Sequence, residues 1–217
     1  MSENGERLQA LEFHGNANLD FDSIGFIILS SILASIALLT SSVPVLIGAM
    51  ILAPAFDPLI AIPFGILNKD WGLVRQGITS SAALFAVAFA VAFGITALLL
   101  QSTFIPDHPD FERREMVVER LIVGGHSIIT AFAAGAGGAL AAAANRQSNL
   151  VGVVVALALV PSLAAASIGF LDGPLPGWGG LALFGVNVGA IILAGLVILS
   201  FRRGTGRAEQ ELDRRKQ

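Results

Sequence analysis

A membrane-like stretch of sequence becomes chemically interesting where it carries a group able to hold charge or accept a ligand, and Asp57 is the clearest such group in this chain. It lies in Ile47-Gly48-Ala49-Met50-Ile51-Leu52-Ala53-Pro54-Ala55-Phe56-Asp57-Pro58-Leu59-Ile60-Ala61-Ile62-Pro63, an apolar run with three prolines in ten residues. A carboxylate in the middle of a bilayer costs about 2.5–3.5 kcal/mol on insertion scales, so it is expected to face a cavity and mark an ion or proton path. The prolines offer a second kind of ligand. Each lacks an N–H and frees the carbonyl four residues earlier, here those of Met50, Pro54 and Leu59. Unpaired carbonyls are not tolerated against lipid, so this stretch must be buried in protein or line a cavity. Pro161, followed by Ser162, interrupts a second apolar run, and Asn187 places an amide in a third. The candidate ion- or substrate-binding set is therefore Met50, Pro54, Asp57, Pro58, Pro161, Ser162 and Asn187. Two readings of Asp57 stay open: a coupling charge in a site, or a cap on a half-helix. His126, beside Gly125 and Ser127, could titrate near neutral pH and be proton-linked, or simply be hydrogen-bonded at a helix start. Asn187 could pair with the freed carbonyls or join neighbouring helices.

Other chemistries are excluded by what is missing. There is no cysteine, hence no disulfide, thiolate or Cys-zinc centre. No His-Glu-x-x-His, Gly-x-Ser-x-Gly or phosphate-binding loop occurs, and no second intramembrane aspartate completes a dyad, so an enzyme is not expected. No cofactor is implied. The net charge of -3 argues against nucleic acid as a partner.

The elements that must position Asp57 follow from where the other charges sit. Charged residues make up 13% of the 217 positions, about half the usual share of a soluble domain, while hydrophobic residues reach 54%. They leave uncharged runs at 23–56, 76–106, 121–145, 147–171 and 173–201. About 20 apolar residues cross a bilayer as a helix. The first run, extended past Asp57, holds two crossings separated at Thr40-Ser41-Ser42-Val43-Pro44. The reading is six helices, at about 23–41, 44–66, 77–101, 122–144, 149–171 and 179–201. Lys and Arg number ten on the side of both termini and three on the other, which predicts cytoplasmic termini in an inner (plasma) membrane. Residues 1–22 form a polar cytoplasmic N-terminus without the basic start of a signal peptide. Residues 102–121 form an external loop whose Phe111, Val117, Val118 and Leu121 share one face of a short interfacial helix. Residues 202–217 form a basic cytoplasmic tail. Trp71 and Trp178 fall at helix ends, as interfacial anchors do.

Sliding the chain against itself by 104 positions sets Leu46-Ile47-Gly48 on Leu150-Val151-Gly152, Leu59 on Leu163, Ala61 on Ala165, Gly65 on Gly169 and Ala90 on Ala194. The shift maps helices 23–101 onto helices 122–201. Three is odd, so the second half enters the membrane inverted. The expected fold is all-α membrane: six transmembrane helices as a 3+3 inverted-topology repeat with Pro-broken second and fifth helices. Ser31-xxx-Ser35, Ala134-xxx-Gly138 and Gly185-xxx-Gly189 are expected packing faces, within one chain or in a homo-oligomer.

The segment Val45–Pro54, with Leu150–Pro161 and Leu183-Phe184-Gly185-Val186-Asn187, resembles the prokaryotic uncharacterised hydrophobic-domain membrane protein family (DUF389) over about residues 21–201. The resemblance implies a polytopic inner-membrane protein and brings no substrate or catalytic residue. Members tend to have a small-residue pair where this chain has Phe56-Asp57, and Pro-Pro where it has Pro161-Ser162. A coupling role for Asp57 would thus belong to this protein or its subgroup. Many members also carry a soluble N-terminal domain, which the 22 residues before the first helix do not supply. The function expected first is a small secondary transporter or ion-conducting protein for an unknown ion or small solute, with its site at the broken helices. A non-transporting scaffold or stress-response protein is the alternative, and an intramembrane enzyme a more distant one.

Overall fold

The computed structural model describes residues 20–53, 56–101, 115–122, 124–143, 149–172 and 177–214. These form α1 (Phe21–Leu39), α2 (Val43–Leu52), α3 (Phe56–Asn68), α4 (Trp71–Leu100), α5 (Glu115–Leu121), α6 (Gly125–Ala143), α7 (Asn149–Asp172) and α8 (Trp178–Arg214). No strand occurs among the described residues. Among the described residues, three helices are long and apolar enough to cross a membrane: α1, α4 and the Trp178–Phe201 part of α8.

The helix boundaries have local causes. Asp20 accepts the Ser23 N–H at 2.9 Å and Asp70 accepts the Leu73 N–H at 3.0 Å, each satisfying one orphan donor at the start of α1 and α4. α1 closes with Ser41 at φ 52 and the Ser42 N–H on the Ala37 carbonyl at 2.8 Å. α3 closes alike, with Lys69 at φ 57 and the Asp70 N–H on the Gly65 carbonyl at 2.9 Å. This is the left-handed C-terminal turn usually built on glycine. Pro44 sits in the first turn of α2, where its missing N–H removes nothing.

The second helix, expected at 44–66 and interrupted within that span, is two helices, α2 and α3, with Ala53 extended between them at φ -75, ψ 114. Other expectations need correction. The fifth helix is not broken: α7 runs continuously through Pro161, and α3 runs through Pro63. A helix-interior proline costs about 3 kcal/mol, and packing offsets it. Pro161 and Pro63 are both buried. Opposite Pro63, α8 presents Gly195, where an added Cβ would lie 2.8 Å from the pyrrolidine Cγ. α4 starts at Trp71, six positions earlier than the expected start at 77, because Arg75 is exposed and needs no helix end to keep its charge in water. α8 continues past 201 to Arg214, through a segment with no proline.

Two helices organise the packing. α4 lies against α1, α3 and α7, and α8 lies against α3, α6 and α7. The buried faces of the two halves share a register. Ile27, Ser30, Ser31, Ala34 and Ser35 of α1 are buried, and so are Ala131, Ala134, Gly135, Gly138 and Ala139 of α6, each 104 positions on. On α4, Val74, Gly77, Ser80, Leu84 and Ala88 are buried, as are Gly177, just before α8, and Gly180, Leu183, Asn187 and Ile191 of α8, at a spacing of 103. The third pair of helices is thus one residue off the expected shift: exposed Ala90 corresponds to exposed Leu193, not to buried Ala194.

Close helix approaches at glycine repeat with the same register. A Cβ on Gly77 would lie 2.9 Å from Ile62, and one on Gly180 would lie 2.8 Å from the Cα of Ala166. Likewise Gly65 faces Val74 and Gly169 faces Gly177, both at 3.0 Å. Gly135 lies against the Ile191 backbone, 2.6 Å from its Cα to a would-be Cβ. By contrast, Gly185 and Gly189 have nothing within 4 Å among the described residues.

α5 buries Val117 and Leu121 against α7 and α8, leaves Val118 partly covered, and approaches α8 at Gly179. Phe111 lies outside the described residues. Burial pushes the Arg120 guanidinium below its ordinary range, and Glu119 at 3.7 Å partly counters this. Trp71 and Trp178 stand exposed as the first residues of their helices.

Candidate functional site

α2 and α3 meet in a buried environment: Ala49, Met50 and Ala53 are all enclosed. Pro54 lies outside the described residues. The Met50 carbonyl, expected to be free because Pro54 has no N–H, instead accepts the Ala53 N–H at 3.4 Å, a long bond three residues back. The carbonyl before it, on Ala49, would take that N–H in a regular helix. Here it accepts the Ser30 hydroxyl of α1 at 2.7 Å. Sequence reading missed Ser30 as a partner of the break. Its signal was the presence of serines at 30, 31 and 35 in an otherwise apolar helix, since hydroxyls can satisfy freed carbonyls.

On the other side of the interruption, Asp57 is in the first turn of α3. A carboxylate near a helix N-terminus sits favourably in the field of the peptide dipoles, so both readings of Asp57 survive. Its side chain is outside what the structure describes, as is that of His126. Pro58 is buried, and its carbonyl faces α4 at Gly77, 2.7 Å from a would-be Cβ.

The start of α3 is brought to the proline of α7. Leu59, two residues after Asp57, and Leu159, two before Pro161, belong to one buried cluster with Ile62, Val74 and Ile191. Phe85 of α4 and Phe184 of α8 pack on it, with ring centroids 4.8 Å apart and nearly perpendicular, the favoured edge-to-face geometry. Ser162 and Asn187 are 1% and 3% exposed, and each has an interaction within the protein. Met50, on the α2 side, belongs to the neighbouring cluster with Val160 and Leu163. Thus Met50, Pro58, Pro161 and Ser162 lie in the adjoining cores where α2, α3 and α7 pack, with Asn187 buried on α8. His126 is the second residue of α6, at a helix end, and its backbone position does not add it to this group.

One buried polar side chain on α4 was not anticipated. Ser81 of α4 is buried, and its hydroxyl has no hydrogen-bond partner among the described residues. Its signal was Thr79-Ser80-Ser81, a hydroxyl run early in an apolar helix. Among the described residues, no group of three or more His, Cys, Asp or Glu is placed to hold a metal ion.

Known proteins give a family and no activity. The family described as "Domain of unknown function (DUF389)" matches residues 50–193. An uncharacterized protein of Methanocaldococcus jannaschii is 31% identical over 188 residues, which cover 85% of this chain and 55% of that protein. The chain therefore spans about half the length of the curated relative it matches. No solved structure matches.

Proposed function

The chain belongs to the family of the domain of unknown function DUF389, and from that premise we propose that it is a polytopic inner-membrane protein acting as a small secondary transporter or ion-conducting protein. The observation that carries the reading is the end of α2 at the buried Ala53, with Asp57 in the first turn of the next helix and the core around Leu59 and Leu159 joining the start of α3 to the proline of α7. Irregular backbone inside a membrane fold is tolerated only where it is buried in protein or lines a cavity. Paired half-helix ends near the middle of a span are where transporters bind ions and solutes.

The same proposal includes six crossings, with α2 and α3 together forming the second, and a 3+3 inverted repeat. Support comes from the shared burial register of α1 with α6 and α4 with α8, and from the matched glycine approaches at Gly77 and Gly180. We read Pro54 as the cause of the break. The ten-to-three distribution of Lys and Arg supports cytoplasmic termini. Gly185 and Gly189, with nothing within 4 Å among the described residues, leave room for a second copy in a homo-oligomer.

Reconstitution in proteoliposomes tests the function. Asp57→Asn is expected to abolish pH- or cation-dependent flux while the purified variant remains monodisperse. Undiminished flux in a folded variant removes Asp57 from the mechanism.

A second reading, a non-transporting scaffold, has one observation in its favour. The carbonyls of Ala49 and Met50 find partners inside the protein, so the break there satisfies itself. Absence of flux for every ion and solute tried, in a protein that still assembles, would favour it.

A further inference from the structure

We propose that Phe85 and Phe184 form a one-sided gate: their ring contact closes the centre of the bundle made by α3, α4, α7 and α8, the route of the transported ion or solute. The proposal rests on the transport reading, and it adds the residues that control passage.

The argument begins with which helices touch. α3 and α7 each lie against both α4 and α8, while α4 and α8 do not pack as a pair. The four helices therefore make a ring, with α4 and α8 at opposite corners. The buried cluster of Leu59 and Ile62 from α3, Val74 from α4, Leu159 from α7 and Ile191 from α8 draws on every one of them. Across the diagonal between α4 and α8, the rings of Phe85 and Phe184 meet at 4.8 Å and 78°. Both pack on this cluster and also on the neighbouring core around Met50 and Val160. Unlike the cluster they span, both keep part of their surface uncovered. Two edge-to-face rings are a large apolar obstruction, and an apolar constriction closes a pore to ions and water by dewetting. Moving either ring off the diagonal opens the path.

The two sides of this contact differ. Phe89, one turn after Phe85, meets Phe170 of α7 at 6.4 Å, and Phe170 meets Trp178 at 5.3 Å. Aromatic contacts thus run from the pair toward the start of α8, and α4 and α8 run in opposite directions. One turn the other way stand Ser81 on α4 and Val188 on α8, each four residues from its ring. Ser81 and Asn187, at this level, are 4% and 3% exposed. Buried polar side chains therefore lie on one side of the rings, and further aromatic side chains on the other. The 103-residue register carries Phe85 onto Val188 and Ser81 onto Phe184. In an inverted repeat, the counterpart of the two-ring level is serine with valine, so the obstruction has no double. One gate is expected, on the side where α8 begins.

The absence of cysteine permits single reactive thiols at the level beyond the rings, as Ser81→Cys or Val188→Cys. In oriented vesicles, a small membrane-impermeant methanethiosulfonate is added on either side. From the side where α8 begins, labelling is expected to be slow while both rings are present. Phe85→Ala or Phe184→Ala should each raise that rate by about tenfold or more, the population shift that loss of one ring contact and its burial gives. Phe85→Tyr, which keeps the ring, should leave it slow, and so should Phe93→Ala, whose ring is exposed and outside the pair. Monodispersity of each variant in detergent separates opening from unfolding, and Phe85→Val, a milder truncation, answers if both alanine variants unfold. Fast labelling with both rings present, a rate that truncation leaves unchanged in a folded variant, or no labelling of either thiol from either side overturns the gate. Ring-dependent labelling without flux of any ion or solute tried overturns the transport reading alone. Flux with labelling indifferent to the rings overturns the gate alone.

Discussion

Ser30 shows how much a single hydroxyl can matter inside an apolar fold. It donates to Ala49 across two helices at 2.7 Å, whereas Ser31, its neighbour, donates to Ile27 within its own helix at the same distance. Removing the first leaves a buried carbonyl at a helix end without its partner, a loss of about 1–3 kcal/mol. Removing the second leaves a carbonyl still served by its helix. Ser30→Ala is therefore expected to lower the unfolding midpoint in detergent clearly more than Ser31→Ala; equal effects would show that the inter-helix bond contributes nothing special. Asp20 offers a pH-dependent counterpart outside the membrane-spanning segment. Its hydrogen bonds to Ser23 hold its carboxyl below the usual range. A lowered folded value means that the cap stabilises α1 above the ordinary aspartate pKa of about 4 and that this contribution is lost as pH falls through the folded value. Amide exchange in the first turn of α1 should quicken over that acid window in the wild type and show no such step in Asp20→Asn.

Helix crossings carry the next set of consequences. At Gly77 and Gly180 a Cβ would meet the facing helix below 3.0 Å, and at Gly180 the obstacle is backbone that cannot turn aside. Overpacking of this kind costs about 1–3 kcal/mol. Alanine at either position should lower the unfolding midpoint, while alanine at Gly185 or Gly189, which face open space, should be close to neutral in the monomer. A second prediction concerns the turn after α3. Lys69 sits at φ 57, a conformation in which a side chain is disfavoured by about 1–2 kcal/mol relative to glycine. Lys69→Gly is expected to stabilise and Lys69→Val to destabilise, both read by chemical unfolding. These crossings also explain what the sequence could reveal. The charge-free runs located the helices because lipid and water sort charges on a scale of whole spans. They misplaced the start of α4 because Arg75 can be helical and exposed at once. Three prolines announced a break near Pro54, yet Pro63 and Pro161 are carried through by tertiary packing, notably Gly195 opposite Pro63, which no local pattern encodes. Asp57, Pro58, Pro161 and Ser162 were legible as polar or helix-breaking residues. Ser30 and Ser81 were not, because a serine in an apolar helix usually bonds its own backbone and only the neighbouring helix decides otherwise.

At the scale of the whole molecule, two facts of different origin meet. The burial faces of the two halves coincide at shifts of 104 and 103, and basic residues gather on one side of the proposed membrane. An inverted repeat and the positive-inside rule make one joint demand: positions related by the shift must lie on opposite faces of the bilayer. Lys69, after α3, and Asp172, at the end of α7, are such a pair. The chain has no cysteine, so each can be replaced singly by a unique reactive thiol without background. In oriented inner-membrane vesicles, a membrane-impermeant maleimide is expected to label Lys69→Cys only from the cytoplasmic side and Asp172→Cys only from the opposite side. Labelling of both from one side would mean an even number of crossings between them. That would dissolve the inverted repeat, because α4, α6 and α7 supply the odd count on which it depends. The burial register would then reflect two similar bundles set side by side, and the interruption between α2 and α3 would lose its related partner in α7.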